Sequence, residues 1–444
     1  MNFVAPLEAR LGENRMPGHR VSHGLRIVLR RGGLTIIDQM VASGTTFLTG
    51  VLIGRICSKE EFGFYMLGFS LFTFLMTLQS ALVSTPYTIY LPRTAEPERA
   101  RFTGSSLIMQ LSMSGIAGLV IVLAGLLLSW VGYEAALSTM LFGLGVSISV
   151  LLLRDFVRQI CFARLAVGHA LCFDLAVACG QIAALAVLGH YNRLSPATAF
   201  LALGGVCGVS ALGWYCAART QIQMGLRNAV SDFGRSWQAG KWLFASGLIW
   251  SVSMNLYPWL VAGFHGAASA GTWAAALGVV TIINPFMLGI QNFLGPYIMH
   301  AFAEGGVERL VQVVQRAAAA YSGSLFLFSA FMFLFGDLVV TGIYGPKYTG
   351  NGALVALLSL NLAVNALGFS FSRGLFAMER AAIDFKVNIV ALAAMLLCGI
   401  WLARAYGPTG AALGQLATNC AASVVRIAAF HQTHRRLLAL GAVL

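Results

Sequence analysis

Gly104–Val131 reads GSSLIMQLSMSGIAGLVIVLAGLLLSWV, 28 consecutive residues without a charged side chain, bounded by Arg101 and Glu134. A helix of that length rises about 42 Å, enough to cross the roughly 30 Å of hydrocarbon in a bilayer. Apolar runs of comparable length recur from Gly33 to His431. They predict twelve membrane helices, at 33–54, 62–84, 104–131, 136–158, 170–189, 196–218, 241–264, 271–298, 317–341, 352–378, 384–403 and 409–431. A transmembrane β-barrel would instead show ~10-residue alternating strands, and none is visible. The expected class is all-α and polytopic.

Composition agrees. Hydrophobic residues make up 58% of the 444 and charged residues 10%, against about 25% charge in soluble domains. Arg10, Arg15, Arg20, Arg26, Arg30 and Arg31 precede the first span without an apolar core of their own, so the first span is expected to serve as its own insertion signal. The net charge of +13 sits in the connections between spans rather than on one face of a domain, which argues for topology signals and against nucleic acid. With the N-terminus inside, five of the 29 basic residues, Arg55, Lys59, Arg193, Lys347 and Arg404, fall outside. The other twenty-four face the cytoplasm, as the positive-inside rule requires of twelve passes with both termini cytoplasmic. Eight cysteines form no CxxC pair, so neither a disulfide framework, a metal site nor a cofactor is expected.

The chain repeats itself. Thr85-Pro86-Tyr87 ends the second helix and Gly295-Pro296-Tyr297 the eighth; Gly132-Tyr133 precedes the fourth much as Gly345-Pro346-Lys347-Tyr348 precedes the tenth. Six spans per half is even, so both halves start on the same face and the repeat is parallel. The expected organisation is a basic cytoplasmic tail at 1–32, an N-lobe at 33–218, a linker at 219–240, a C-lobe at 241–431 and a cytoplasmic tail at 432–444. Met224, Leu226, Val230, Phe233 and Trp237 would turn a linker helix toward lipid.

Ser43-Gly44 and Leu52-Ile53-Gly54-Arg55-Ile56-Cys57-Ser58-Lys59-Glu60-Glu61-Phe62-Gly63-Phe64-Tyr65 resemble the "ARlLGpeeyGlyal" opening of O-antigen flippase-type polysaccharide transporters. These belong to the multidrug/oligosaccharidyl-lipid/polysaccharide exporter superfamily. Tyr344-Gly345-Pro346-Lys347-Tyr348 and Gly407-Pro408-Thr409-Gly410-Ala411-Ala412 are similar to that family as well, and the likeness spans residues 33–431. Cys57-Ser58 departs from the usual Leu-Gly, and the basic N-terminal tail is unusually long. The resemblance implies a flippase in the bacterial inner membrane. Two lobes would carry undecaprenyl-pyrophosphate-linked oligosaccharide to the periplasmic leaflet, alongside other polysaccharide-assembly proteins such as those of lipopolysaccharide.

A pyrophosphate cargo needs fixed positive charge in a cavity, and the planar fork of arginine suits phosphate oxygens. Arg154, Arg158 and Arg373 lie at comparable depth in the two halves, with Arg426 and Arg55 as further candidates. All five are within about two turns of a helix end, where snorkelling to headgroups serves equally well. Asn255, Asn284, Asn361, Asn365 and Asn419 fall near span centres, to contact sugar hydroxyls or to join helices. Asp38 is the best coupling candidate, since no acid is predicted at mid-bilayer. Pro285 and Pro296 mark helix eight as a moving element.

Two other readings compete. A polymerase, ligase or glycosyltransferase would need catalytic acids or histidines facing a cavity, and no histidine falls mid-span. A drug or cation antiporter of the same superfamily would want an acidic pocket, and none is predicted.

Overall fold

The computed structural model describes the backbone of residues 17–441 apart from residue 381, and side chains from Gly33 to Leu437 apart from a few in 227–250. The tail residues Arg10 and Arg15 therefore lie outside the described residues, and so do the side chains of Arg20, Arg26, Arg30 and Arg31.

The described backbone is helical almost throughout. α1 is Pro17–Ile56 and α2 Lys59–Gln79, continued by a π turn at Ser80–Ser84 into Thr85–Tyr90. α3 (Glu96–Trp130), α4 (Ala135–Ala163), α5 (Val167–His190) and α6 (Pro196–Ala218) complete the N-lobe. α7 (Leu226–His265) and α8 (Ala267–Val280) follow, then a 3₁₀ turn at Thr281–Ile283, then α9 (Asn284–Tyr344), α10 (Gly352–Ala377), α11 (Ala382–Ala394), a π turn and α12 (Ile400–Gly441).

Nine helical stretches among the described residues are long and apolar enough to cross a membrane. Two of them each hold a pair of spans. α9 leaves helical geometry at Gly305–Gly306 and α12 at Gly407, where positive φ angles of 62° and 59° turn the chain. Glycine takes that conformation without a Cβ clash. α7 supplies one more crossing, which brings the passes to twelve and both ends of the described chain to one end of the bundle.

The turns repeat with the spans. Gly132 pairs with Gly345, Leu165 with Glu379 and Asn192 with Gly407, all at positive φ and about 214 residues apart. After α4, Leu165 N–H bonds Phe162 O and Ala166 N–H bonds Cys161 O; after α10, Glu379 N–H bonds Phe376 O and Arg380 N–H bonds Leu375 O. This one left-handed cap, used twice, satisfies the last carbonyls of each helix. Packing repeats too: α3 on α4 mirrors the second half of α9 on α10, α4 on α6 mirrors α10 on α12, and α1 on α5 mirrors α7 on α11.

Helix starts are set by local chemistry. Ser58 caps α2 in a reciprocal box with Glu61, and Ser195 does the same for α6 with Thr198, ahead of Pro196 in the first turn.

The lobes join along α2, which packs on α7 and α8. Gly63 and Gly271 let backbones touch there: an added Cβ would come 1.8 Å from Ala267 O and 1.9 Å from Lys59 O respectively. The expected linker differs from what forms. Residues 226–240 are the first turns of α7 itself, and no break separates them from span seven. Met224, Leu226, Val230, Phe233 and Trp237 are all exposed.

Candidate functional site

A cavity of about 400 Å³ opens between the lobes. The N-lobe side is built by Gln39, Ser43 and Thr46 of α1, by Arg154, Asp155 and Arg158 of α4, and by Phe62, Tyr65, Phe69 and Phe72 of α2. Leu277, Gly278, Thr281, Asn284 and Tyr344 close it from the C-lobe. A side chamber of about 80 Å³ runs from Thr46 and Arg154 toward Gln181 and Cys207. A larger crevice of about 600 Å³, between Leu91, Glu96, Arg99 and Arg164, is lined by the N-lobe alone. Its C-lobe counterpart of about 410 Å³ runs between Phe293, Tyr297, Glu304 and Arg309. Neither lies between the lobes.

The cationic wall is held from behind. Arg158 Nη2 donates to Asp38 Oδ2 at 2.6 Å and to Gln39 Oε1 at 3.1 Å, while its Nε stands 2.8 Å from Asp174 Oδ2. Arg154 Nη2 donates to Asp174 Oδ1 at 2.6 Å. The Asp38 and Asp174 side chains are 0% exposed, whereas Arg154 and Arg158 retain 24% and 13%. The carboxylates therefore anchor the guanidiniums from the protein side, and the guanidiniums face the cavity. Phe162 stacks under Arg158 with its ring centroid 5.2 Å away, holding the fork in one plane. Arg154 Nε is buried without a partner. On the same N-lobe side, α2 presents a run of aromatic rings to the cavity, with Tyr65 stacked on Phe69 and on Phe200 of α6.

The expected site residues separate. Arg154, Arg158 and Asn284 line the cavity, and Asp38 stands behind it. Arg373 does not line it; its guanidinium lies 4.5 Å over the Phe369 ring and 5.7 Å from that of Phe376. Arg426 pairs with Asp384 at 3.3 Å inside the C-lobe, and Asp384 also accepts from Ser372 Oγ at 2.6 Å. Arg55 sits at the end of the bundle away from the termini, donating to backbone carbonyls of α9.

Asn255 joins the lobes, accepting from Thr73 Oγ1 at 2.7 Å; Trp259 Nε1 donates to Ser70 Oγ beside it, at 2.8 Å. Asn419 Nδ2 donates to Asn361 Oδ1 at 2.5 Å, tying α12 to α10, and Asn365 is half-buried on the same helix. Pro285 follows the 3₁₀ turn that interrupts span eight, whereas Pro296 lies inside a continuous stretch of α9.

Sequence reasoning missed Asp384 and did not couple Asp38 and Asp174 to the arginines. Asp155, Asp174 and the two arginines lie within about 20 residues, which was a usable signal. Asp38 is 120 residues from Arg158, and only packing brings them together.

No protein-family model and no curated protein sequence matches this chain. Solved structures do. The chain is similar to an inward-facing multidrug resistance MATE family transporter of the MOP superfamily, with a TM-score of 0.73 and 15% identity over 91% of this chain and 96% of that one. An outward-facing multidrug resistance MATE family transporter gives a TM-score of 0.58 at 15% identity, over 94% and 96%. A MOP superfamily transporter from Pyrococcus furiosus, described as having reversed pocket polarity, gives 0.60 at 14% identity, over 93% and 96%. At these identities the likeness establishes a common fold, twelve spans in two lobes.

Proposed function

We propose that this protein is an alternating-access flippase that moves lipid-linked oligosaccharide, held by its pyrophosphate, from the cytoplasmic to the periplasmic leaflet. The observation that carries the reading is the front of the cavity wall. Two guanidiniums face the space between the lobes and two fully buried carboxylates fix them from behind. Among the described residues Asp155 is the only acid lining this cavity, so the charge offered to a cargo is positive. A phosphate would bind without first having to organise its partners.

The aromatic face of α2 lines the same cavity and suits the apolar start of a polyprenyl chain or the face of a sugar. A space of about 400 Å³ admits a pyrophosphate and its first sugar, not a long glycan, so the remainder would extend along the opening between the lobes. The higher TM-score with the inward-facing structure, 0.73 against 0.58, supports loading from the side of the termini.

A second reading, antiport of drugs or organic cations, is favoured by one feature: Asp38, Asp155 and Asp174 outnumber the arginines of the same cluster. The solved structures of similar fold include multidrug transporters.

The deciding experiment is glycan export in cells lacking the protein. Accumulation of lipid-linked repeat units on the cytoplasmic leaflet, restored by the intact protein and not by Arg154→Gln, is expected. Normal surface polysaccharide together with altered drug sensitivity would overturn the flippase reading in favour of the second.

A further inference from the structure

The last turns of spans one and nine, from different lobes, meet at the end of the bundle opposite the termini. Arg55 closes α1, and its guanidinium donates through Nε to Ile343 O at 2.5 Å and through Nη2 to Gly342 O. Lys347, just past α9, returns the contact: its Nζ donates to Arg55 O at 3.2 Å and to Cys57 O. Each cation thus reaches into the C-terminal carbonyls of the other helix, groups that have no partner within their own helix and sit at the negative end of its dipole. Beneath this pair Tyr344, 2% exposed, fills a slot between two glycines. A Cβ on Gly54 or Gly278 would stand 2.6 Å or 1.9 Å from its ring or hydroxyl atoms. Tyr344 and Phe62 are also lining residues of the cavity, so the slot is its roof.

We propose that Arg55 and Lys347 form a reciprocal clasp that holds the lobes shut at this end, and that it releases, with Tyr344 leaving its glycine slot, when the cavity opens to that side. The chemistry suits a reversible latch. Among the described residues every ion pair joins groups of one lobe; the clasp instead joins cations to neutral carbonyls near the bundle's end. Parting them exposes an arginine, a lysine and helix-end carbonyls to water and leaves no unpaired buried charge, the outcome that makes broken ion pairs costly. The inference rests on the alternating-access reading but not on the identity of the cargo.

Cys57 provides a reporter already in place. It is 4% exposed, its Sγ donates to Leu194 O at 3.6 Å, its carbonyl accepts from Lys347, and burial pushes its thiol up to about 12. In the full chain with the other seven cysteines replaced by alanine, a membrane-impermeant maleimide applied from outside the cell should label Cys57 slowly. Arg55→Ala and Lys347→Ala should each accelerate labelling, and the double variant at least tenfold. Lys347→Arg, which keeps a donor at the carbonyls, should stay near the parent rate. Gly278→Ala, which crowds Tyr344 without touching the cations, should also accelerate it.

A double variant that elutes as a folded protein and labels at the parent rate would overturn the clasp. If the double variant does not fold, unchanged rates in both single variants would do so. Lost glycan export with these labelling rates as expected would leave the clasp standing, and an export defect absent from the deletion strain would count only against the proposed cargo.

Discussion

Counted from the shared left-handed turns at Leu165 and Glu379, Arg158 of the N-lobe corresponds to Ser372 of the C-lobe, Arg154 to Gly368 and Asp174 to Asn388. One lobe fills these places with ions, the other with a hydroxyl, a hydrogen atom and an amide. The C-lobe still contains an arginine here, but it arrives from another helix. A Cβ on Gly368 would stand 3.3 Å from Nη1 of Arg426, which leans from α12 into the room left by the missing side chain and pairs with Asp384. The two lobes therefore share a backbone plan maintained by turns and helix packing, while the polar groups inside have diverged. The N-lobe carries two fully buried carboxylates holding arginines that face the cavity; the C-lobe carries an amide pair and a partly exposed ion pair that do not line it.

Substitutions should reveal the same asymmetry. The largest effect is expected for Arg158→Met, which strands the buried Asp38 carboxylate and leaves Asp174 with Arg154 alone, and should cost about 3–5 kcal/mol, read as a lower melting temperature in detergent. Asp38→Asn in the same chain should recover much of the loss, since Asp174 keeps Arg154, and a melting temperature unchanged by Arg158→Met alone would mean the cluster is not a structural unit. Asn361→Ala should cost about 1–2 kcal/mol, because it leaves the Asn419 amide buried without its acceptor; a null result there would erase the C-lobe's own polar core from the comparison. Arg426→Met should cost about 1 kcal/mol or less, since both partners keep part of their hydration. If it matched Arg158→Met, the contrast between the lobes would collapse.

The smallest effect concerns the connection before α4, outside the spans. Desolvation, with Glu60 beside it, raises the Glu134 carboxyl above its ordinary value. The folded chain then holds this proton more tightly than the unfolded chain, so stability falls as pH rises from the ordinary carboxylate value through the raised one. Glu134→Gln should remove that slope from melting curves taken across mildly acidic pH, and an identical slope in the variant would place its origin elsewhere.

Much of the architecture was readable from residues. The span limits near Gly104–Val131 follow from a local property, the cost of leaving charge in hydrocarbon, and the paired Pro-Tyr and Gly-Tyr segments exposed the repeat. The helix ends were less readable: 3₁₀ and π turns interrupt spans eight, two and eleven where composition remains apolar, and α7 begins well before its apolar stretch. In the candidate site, Arg154 and Arg158 could be singled out as arginines inside a span. Arg373 satisfied the same criterion and stands over two phenylalanine rings away from the cavity, because depth along a helix does not specify which face a side chain occupies. Arg55 likewise looked like a cargo ligand, and its distant partners, the carbonyls of Gly342 and Ile343, carry no side-chain signature at all.

Residue order alone specifies a bundle of membrane-crossing helices in two similar halves, because hydropathy, connection charge and turn conformation act over a few neighbouring residues. Helix packing is what brings Asp38 to Arg158 across 120 positions, turns the arginines to a space between lobes, and lets Arg55 and Lys347 cross-cap each other's helices. Those outcomes depend on which helices pack together and how each is rotated about its axis, and that is settled by contacts between segments far apart in the chain.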